Sequence, residues 1–402
     1  MHSVDSTVEA AKHLMAARFG GSPELTHPED LGGSGNALVL RCRVSPIPFL
    51  QERTVVVKQL PPAEPGRDEL TPDGLALLRE VVAYQYTNTL NEKSRPGPLL
   101  LAYDLEQRLL ILSDAGDGTS FTDVLTLQGE EERRLAVRKL GRALGHMHAT
   151  TCGGAESYRT LLRRQCQKLH ISPETVMETD IDIAALIRQG VELVRSNGLD
   201  VDETVEHYAE EAAHRQSRTD LRAFTPFDMT PDNIMLTKHV VFLDYEWASF
   251  RHVAFDVACV VAGFPQDNST PALTTEETDE FVAAWRAEIA STWPETRDDK
   301  SLHDAMMSAL IGWAFLSLMM LYYGRSTEEQ LVRDENGQPT PTVTSLRHLP
   351  ADQLQDLATT VDAILRYSRE HKYPRFASVE KFAQKLLRIL GNLEAHPLTR
   401  HG

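Results

Sequence analysis

Phe227-Asp228-Met229-Thr230-Pro231-Asp232-Asn233-Ile234-Met235-Leu236-Thr237-Lys238-His239-Val240-Val241-Phe242-Leu243-Asp244-Tyr245-Glu246 reads as a polar loop feeding two short apolar strands that turn at Lys238-His239. With the turn centred between those two residues, Asn233 stands across the ladder from Asp244, with Cβ atoms about 4.5–5.5 Å apart. An amide oxygen and a carboxylate at that separation suit one hard cation. Oxygen ligands on a hairpin suit Mg²⁺, which takes phosphate oxygens as further ligands. Asp228 precedes Asn233 by one loop, near the metal pair without being needed as a ligand, where a carboxylate is suited to receive a proton from a substrate hydroxyl. Taken alone, D-x-x-x-x-N is equally the spacing of an ordinary surface loop with a turn-forming Asp.

Working back toward the N-terminus, residues 6–19 form a short amphipathic helix with Val8, Ala11, Leu14 and Met15 on one face. A turn-rich passage follows and ends in Gly32-Gly33-Ser34-Gly35-Asn36. Strands are expected over residues 37–44 and 54–58, the second β-branched and closing on Lys58. A helix over residues 72–90 places Leu77, Val81 and Tyr84 at spacings of three and four, with Glu80 on or beside that stripe. Two more strands, 99–105 and 108–113, complete a small antiparallel sheet with one helix. After Asp114-Ala115-Gly116-Asp117-Gly118 the pattern turns mostly helical, including 131–150 with Leu135, Val137, Leu140, Leu144 and Met147 inward. The switch from sheet to helix marks a boundary between residues 1–113 and 114–402. Helical patterns resume over 172–218 and again after the hairpin, and residues 326–341 read as a surface loop.

Composition narrows the partners. Lys plus Arg total 41 against 58 for Asp plus Glu, a net charge of −17 that repels phosphate backbones and anionic membranes, so no nucleic-acid or membrane partner is expected. Four scattered cysteines without a CxxC pair argue against a thiolate metal site and a disulfide scaffold, and suit a reducing cytoplasm. The first residues lack the basic start and apolar core of an export signal. Residues 305–323 run without a charge for about the length of a bilayer span. No polybasic flank orients them, and Ser308, Gly312 and Ser317 dilute the run, so a buried core helix is the reading adopted.

The spacing around Asp228 resembles the H-G-D-x-x-x-x-N … I-D-W-E block of the aminoglycoside phosphotransferase and choline kinase-like superfamily, small-molecule relatives of the protein kinases. Other parts of that pattern occur in order. Gly32 to Asn36, with Gly33, Ser34 and Gly35 at its centre, resembles the loop that covers nucleotide phosphates. Lys58 in V-V-V-K resembles the strand lysine on the α and β phosphates, and Glu80 its helix partner. Leu110 to Ala115 is similar to the hinge, where the Ser113 carbonyl and Ala115 amide would hold adenine. Leu140-Gly141-Arg142-Ala143-Leu144-Gly145-His146-Met147-His148 resembles the helix behind the catalytic loop, and Asp256 the aspartate that pins that loop.

The resemblance implies an α+β, two-lobed protein-kinase-like fold, with a small antiparallel-sheet N-lobe and a large helical C-lobe. It also implies an ATP- and Mg²⁺-dependent O-phosphotransferase: ATP between the lobes, Mg²⁺ on Asn233 and Asp244, and Asp228 orienting the hydroxyl of a small-molecule acceptor. Only a short interval separates Asp244 from Asp256, too short for a peptide-docking segment, whereas a long helical insertion separates His148 from Asp228. Both favour a small acceptor.

One departure stands out, because the family's His-Gly before the aspartate is Pro226-Phe227 here. It motivates a rival reading, a pseudokinase that binds nucleotide or acts as a scaffold; retention of Lys58, Asp228, Asn233 and Asp244 together argues against it. Other features have plainer readings. The acidic runs 206–211 and 276–280 read as solvated helix faces, though they would favour a cationic acceptor if they lined the pocket. His146 and His148, two apart on a helix, do not share a face for a metal. Trp247 reads as core. The acceptor and the oligomeric state are not encoded in any transferable spacing.

Overall fold

The computed structural model describes residues 3–32, 37–61, 71–178, 181–265, 267, 270–323, 332–333, 339–340 and 351–395. The elements in order are α1 (Val4–Phe19), β1 (Leu25–Asp30), β2 (Leu38–Val44), β3 (Thr54–Gln59), α2 (Pro72–Asn88), β4 (Leu100–Asp104), β5 (Leu109–Ser113), β6 (Thr119–Ser120), α3 (Phe121–Leu127), α4 (Glu130–Thr151), α5 (Ala155–Lys168), α6 (Pro173–Glu178), α7 (Ile183–Ser196) and α8 (Glu203–Arg215). The rest are β7 (Arg222–Thr225), β8 (Ile234–Leu236), β9 (Val240–Phe242), β10 (Ser249–His252), α9 (Ala254–Val261), α10 (Thr275–Ile289), α11 (Asp299–Tyr323), β11 (Val332–Arg333), β12 (Pro339–Thr340), α12 (Ala351–His371) and α13 (Phe376–Ala395). This is the α+β class expected from the sequence.

The chain divides into two compact units, and the division is not a single cut. One unit takes residues 1–119, 153–180 and 235–249; the other takes 120–152, 181–234 and 250–402. The long insertion after His148 is therefore shared, α5 and α6 falling in the first unit and α7 and α8 in the second.

The first unit is built on an antiparallel sheet in the order β1-β2-β3-β5-β4. Alternation in β3 explains its two faces. Val55, Val57 and Gln59 point into a core with Leu40, Cys42, Leu109 and Ile111, covered by Ala11 and Met15 of α1, and Lys58 points the other way. Gln59, polar at a core position, is satisfied by Thr7 at 2.5 Å and by the Gln107 carbonyl at 3.2 Å. Strand β1 went unseen in the sequence because Leu-Thr-His-Pro-Glu-Asp buries only its first residue; its Pro28 and acidic end suit an edge. In α2, Thr71 caps the start by accepting from the Gly74 N–H at 3.2 Å.

The second unit is helical. Its α4 buries Val137, Leu140, Leu144 and Met147 as expected, but leaves Leu135 exposed. Helices α4 and α10 approach so closely that a Cβ on Gly141 would stand 2.4 Å from the Phe281 carbonyl, and one on Gly145 2.6 Å from that of Trp285. Glycine at these two positions is what permits the contact. In an open helix Gly→Ala adds about 0.5–1 kcal/mol of stability, and Gly391 on α13, with nothing near its missing Cβ, is expected to behave so. Gly141→Ala is instead expected to lose about 1–3 kcal/mol, because the obstacle is backbone and overpacking outweighs propensity. Denaturant midpoints of the two variants check the opposite signs.

Helix α11 contains the uncharged run. It is the one helix among the described residues long and apolar enough to cross a membrane, and 89% of its most apolar window is buried, as the core reading requires. Most of the passage 326–341 lies outside the described residues; its described positions pair as β11 and β12, with Val332 opposite Thr340.

Candidate active site

In the first unit, Lys58 Nζ lies 3.0 Å from each oxygen of Glu80 and 2.8 Å from Asp244 Oδ1. Strand β3 delivers the lysine and α2 the glutamate, the pair predicted from the V-V-V-K strand and the apolar helix face. Burial disfavours the charged lysine most, but Glu80 and then Asp244 outweigh it and hold Lys58 above its ordinary range. Burial pushes the Glu80 carboxyl up to about 7 against the pull of Lys58. With Glu80 ionised, one cation between two carboxylates leaves this cluster one positive charge short, an arrangement that a further cation would balance.

Asp244 follows β9 in the left-handed region, φ 52°, beside the fully buried Tyr245. The Tyr245 ring packs at a tilt against Tyr84 of α2, centroids 4.7 Å apart. Close approach is allowed by Gly97, whose Cβ would meet the Phe242 carbonyl and Tyr245 hydroxyl, each at 2.4 Å. Ser113 and Ala115 flank Asp114, whose carboxylate accepts from the Gly116 N–H at 2.9 Å and pairs with Arg41 of β2 at 3.1 Å. Gly33, Ser34 and Gly35 lie outside the described residues. Trp247, read as core, is half-buried with the Arg79 guanidinium 5.8 Å from its ring.

In the second unit, Asp228 and Asn233 are joined through a residue the sequence reading passed over. The Thr230 hydroxyl donates to Asp228 Oδ1 at 2.9 Å, with the Thr230 N–H on the same oxygen at 3.2 Å. Asn233 Nδ2 donates to the Thr230 hydroxyl at 3.1 Å, which commits its nitrogen and leaves the amide oxygen as its acceptor atom. A Thr two positions after an Asp is a turn signal that could have flagged it. Asn233 closes a 3₁₀ turn, Pro231–Asn233, and β8 and β9 span only Ile234–Leu236 and Val240–Phe242. The ladder therefore stops short of both Asn233 and Asp244. With residues 237–239 as the loop and the Thr237 N–H on the His239 carbonyl, the turn centres on Lys238 rather than between Lys238 and His239, one residue off the register that set Asn233 across from Asp244.

Behind this loop, Trp285 Nε1–H donates to His148 Nδ1 at 3.0 Å, and His148 Nε2 meets Asp256 Oδ2 at 3.2 Å. Trp can only donate, so Nδ1 must be the bare nitrogen and Nε2 carries the proton toward the carboxylate. All three residues are buried, which settles the histidines: His148 is structural and shares no ligand face with His146. Burial pushes the Asp256 carboxyl up, while His148, Arg251 and the Phe227 backbone N–H pull it down. The Thr151 hydroxyl accepts from the Phe224 N–H at 3.1 Å, tying α4 to β7, the strand that runs into the loop.

His252 ends β10 fully buried, and desolvation, with Arg215 adding to it, holds the ring down at about 3. The folded protein thus resists a proton that the unfolded chain accepts near 6.5, so this contribution to stability is present above 6.5 and is lost as pH falls toward 3. His252→Gln is expected to flatten the acid limb of the Tm-against-pH profile, by at most about 1.4 kcal/mol per pH unit. Scanning calorimetry of both proteins between pH 4 and 7 measures it.

The acidic runs are ion-paired helix faces. Glu206 meets Arg195 at 2.7 Å, Glu210 meets Arg188 at 2.6 Å, Glu277 meets Arg133 at 3.0 Å, and Glu280 meets Arg134 and Arg138. They give no support to a cationic acceptor. Among the described residues no group of three or more His, Cys, Asp or Glu side chains converges as a metal cage. A Mg²⁺ held by one carboxylate and one amide, with phosphates and water completing its shell, needs none.

A search of curated proteins finds no match. Among solved structures, choline kinase LicA from Streptococcus pneumoniae aligns over 88% of this chain and 97% of its own, at 11% identity and TM-score 0.44. Choline kinase from Cryptosporidium parvum aligns over 97% and 99% at 11% and 0.44, and the gentamicin complex of APH(2")-IIa over 81% and 91% at 14% and 0.45. Scores this low carry no argument by themselves. Residues 79–298 match the profile of the phosphotransferase enzyme family, and with more than half of its length inside that match the chain belongs to this family.

Proposed function

We propose that this phosphotransferase moves the γ-phosphoryl group of ATP to a hydroxyl of a small molecule, with Mg²⁺ held by Asp244 and Asn233. The observation that carries the reading is Lys58 gripped by Glu80 and Asp244, with two carboxylates to one cation. The donor set suits Mg²⁺: a carboxylate on Asp244 and an amide on Asn233 whose nitrogen is already committed to Thr230.

When bound, Mg²⁺ neutralises charge on the phosphate oxygens. Lys58 exchanges part of its contact with Asp244 for phosphate oxygens, and Glu80 keeps the ammonium in place. Asp228, held by Thr230, orients the acceptor hydroxyl and takes its proton as the acceptor O–P bond forms. The bond from the γ-phosphorus to the bridging oxygen breaks, and ADP leaves with that electron pair. Positioning and charge neutralisation supply most of the rate.

A small acceptor is supported by the interval between Asp244 and Asp256, which β10 and the start of α9 occupy. The four cysteines are free thiols, which suits the cytoplasm. The test is transfer of label from γ-³²P-ATP across a panel of amino alcohols, sugars and aminoglycosides. Wild type is expected to form a Mg²⁺-dependent phosphate ester with at least one member. No ester on any member, together with unaltered nucleotide binding, would favour the scaffold reading.

A further inference from the structure

We infer that Phe227, clamped between Arg251 and Trp313, is the positioning residue that aims Asp228, an inference that rests on the role proposed for Asp228 above. Position 227 is where the family motif has glycine, and Phe227 adopts φ 68° there. A bulky side chain is disfavoured in that region and stays only where its surroundings impose it.

Those surroundings are specific. The Phe227 ring stacks on the Trp313 indole of α11, centroids 5.4 Å apart and 23° from parallel, and the Arg251 guanidinium of β10 lies 4.8 Å from its centroid. Phe227, Arg251 and Trp313 are 3%, 5% and 3% exposed, so the cation–π contact is desolvated, where such contacts are strongest. Trp313 is itself fixed, its Nε1–H donating to the Phe255 carbonyl at 2.7 Å.

The clamp also reaches the buried network. Arg251 and the Phe227 N–H both act on Asp256, which holds His148 and through it Trp285. The backbone at 227 is therefore set from its side chain and from its N–H, one residue before Asp228. Pro226 has no N–H to offer the brace that a histidine supplies in the motif; the aromatic ring at 227 provides it by packing. The departure that suggested a pseudokinase is thus compensated within this chain.

The experiment compares Phe227→Tyr, Phe227→Gly, Phe227→Ala and Arg251→Met with wild type, by hydrogen exchange below every variant's Tm and by steady-state kinetics. In the Gly, Ala and Met variants, amides of residues 228–233 are expected to exchange about tenfold faster or more, with those around Lys58 and Glu80 unchanged. Their kcat is expected to fall about 10- to 100-fold while the nucleotide KM holds. Tyr rescues both readouts, and Ala falls below Gly because Gly accepts a positive φ without strain. Wild-type exchange at 228–233 in the Ala variant, or faster exchange spread over the whole chain, would overturn the clamp. Exchange decides this even if wild type phosphorylates nothing, an outcome that would count against the phosphotransferase reading alone.

Discussion

Asp228→Asn is expected to lower kcat by about 10²- to 10⁴-fold, the usual contribution of a positioned base, with nucleotide affinity near wild type. Asparagine is the informative replacement. Its side-chain oxygen still accepts from the Thr230 N–H and hydroxyl, which now lie 3.2 and 2.9 Å from Asp228 Oδ1, so the link to Asn233 survives and only the proton acceptor is lost. Alanine would also leave Thr230 without its partner and mix a loop effect into the rate. Steady-state kinetics of the Asn variant, with nucleotide binding followed by calorimetry, separates the two. A kcat within a few-fold of wild type would remove Asp228 from the chemistry.

Lys58→Met is expected to cost about 10²- to 10³-fold in kcat/KM through lost phosphate stabilisation, and to change how stability depends on pH. Without the ammonium, Glu80 stays buried beside Asp244 with its main counter-charge gone, so its carboxyl, already at about 7 against an ordinary 4.5, is pushed higher. A carboxyl whose folded value is raised keeps its proton in the native state after the unfolded chain has lost it. Stability therefore falls as pH climbs from 4.5 to the folded value and levels off beyond it. Wild type should level off above about 7, whereas the variant should go on losing up to about 1.4 kcal/mol per pH unit toward pH 8. Parallel Tm profiles from pH 5 to 9 would contradict the buried triad.

Much of this was legible in the sequence because it depends on local pattern. The β-branched run ending in Lys58 marked its strand, the three-and-four spacing of α2 set Glu80 on or beside its apolar stripe, and the order of the motifs gave the family. The alternation that turns Lys58 away from the core appears only in the structure. The edge strand β1 was hidden because an edge with one buried residue carries no hydrophobic period. The hairpin was found in the right stretch, but its turn centres on Lys238 and its strands are three residues each, so the register that paired Asn233 with Asp244 was one residue out and asked more of the ladder than it spans. Trp285, Arg251 and Trp313 had no local signal at all. Each acts on a residue far away in the chain, and only packing brings a tryptophan of α11 onto a loop before β8.

The role of Thr230 belongs between these cases. Its spacing from Asp228 is a common turn signature, yet the second bond, from Asn233, turns an ordinary cap into a link between the proposed base and a proposed metal ligand. Such a link explains how a polar loop whose only regular structure is one 3₁₀ turn can hold the two side chains in fixed orientation.

Electron paramagnetic resonance of Mn²⁺ titrated into the full chain with a non-hydrolysable ATP analogue addresses the metal assignment without needing the acceptor. One nucleotide-dependent ion per chain, abolished by Asp244→Ala and weakened by Asn233→Ala, is the expected result. An ion bound equally well by Asp244→Ala, or none bound by wild type with the nucleotide in place, would contradict it.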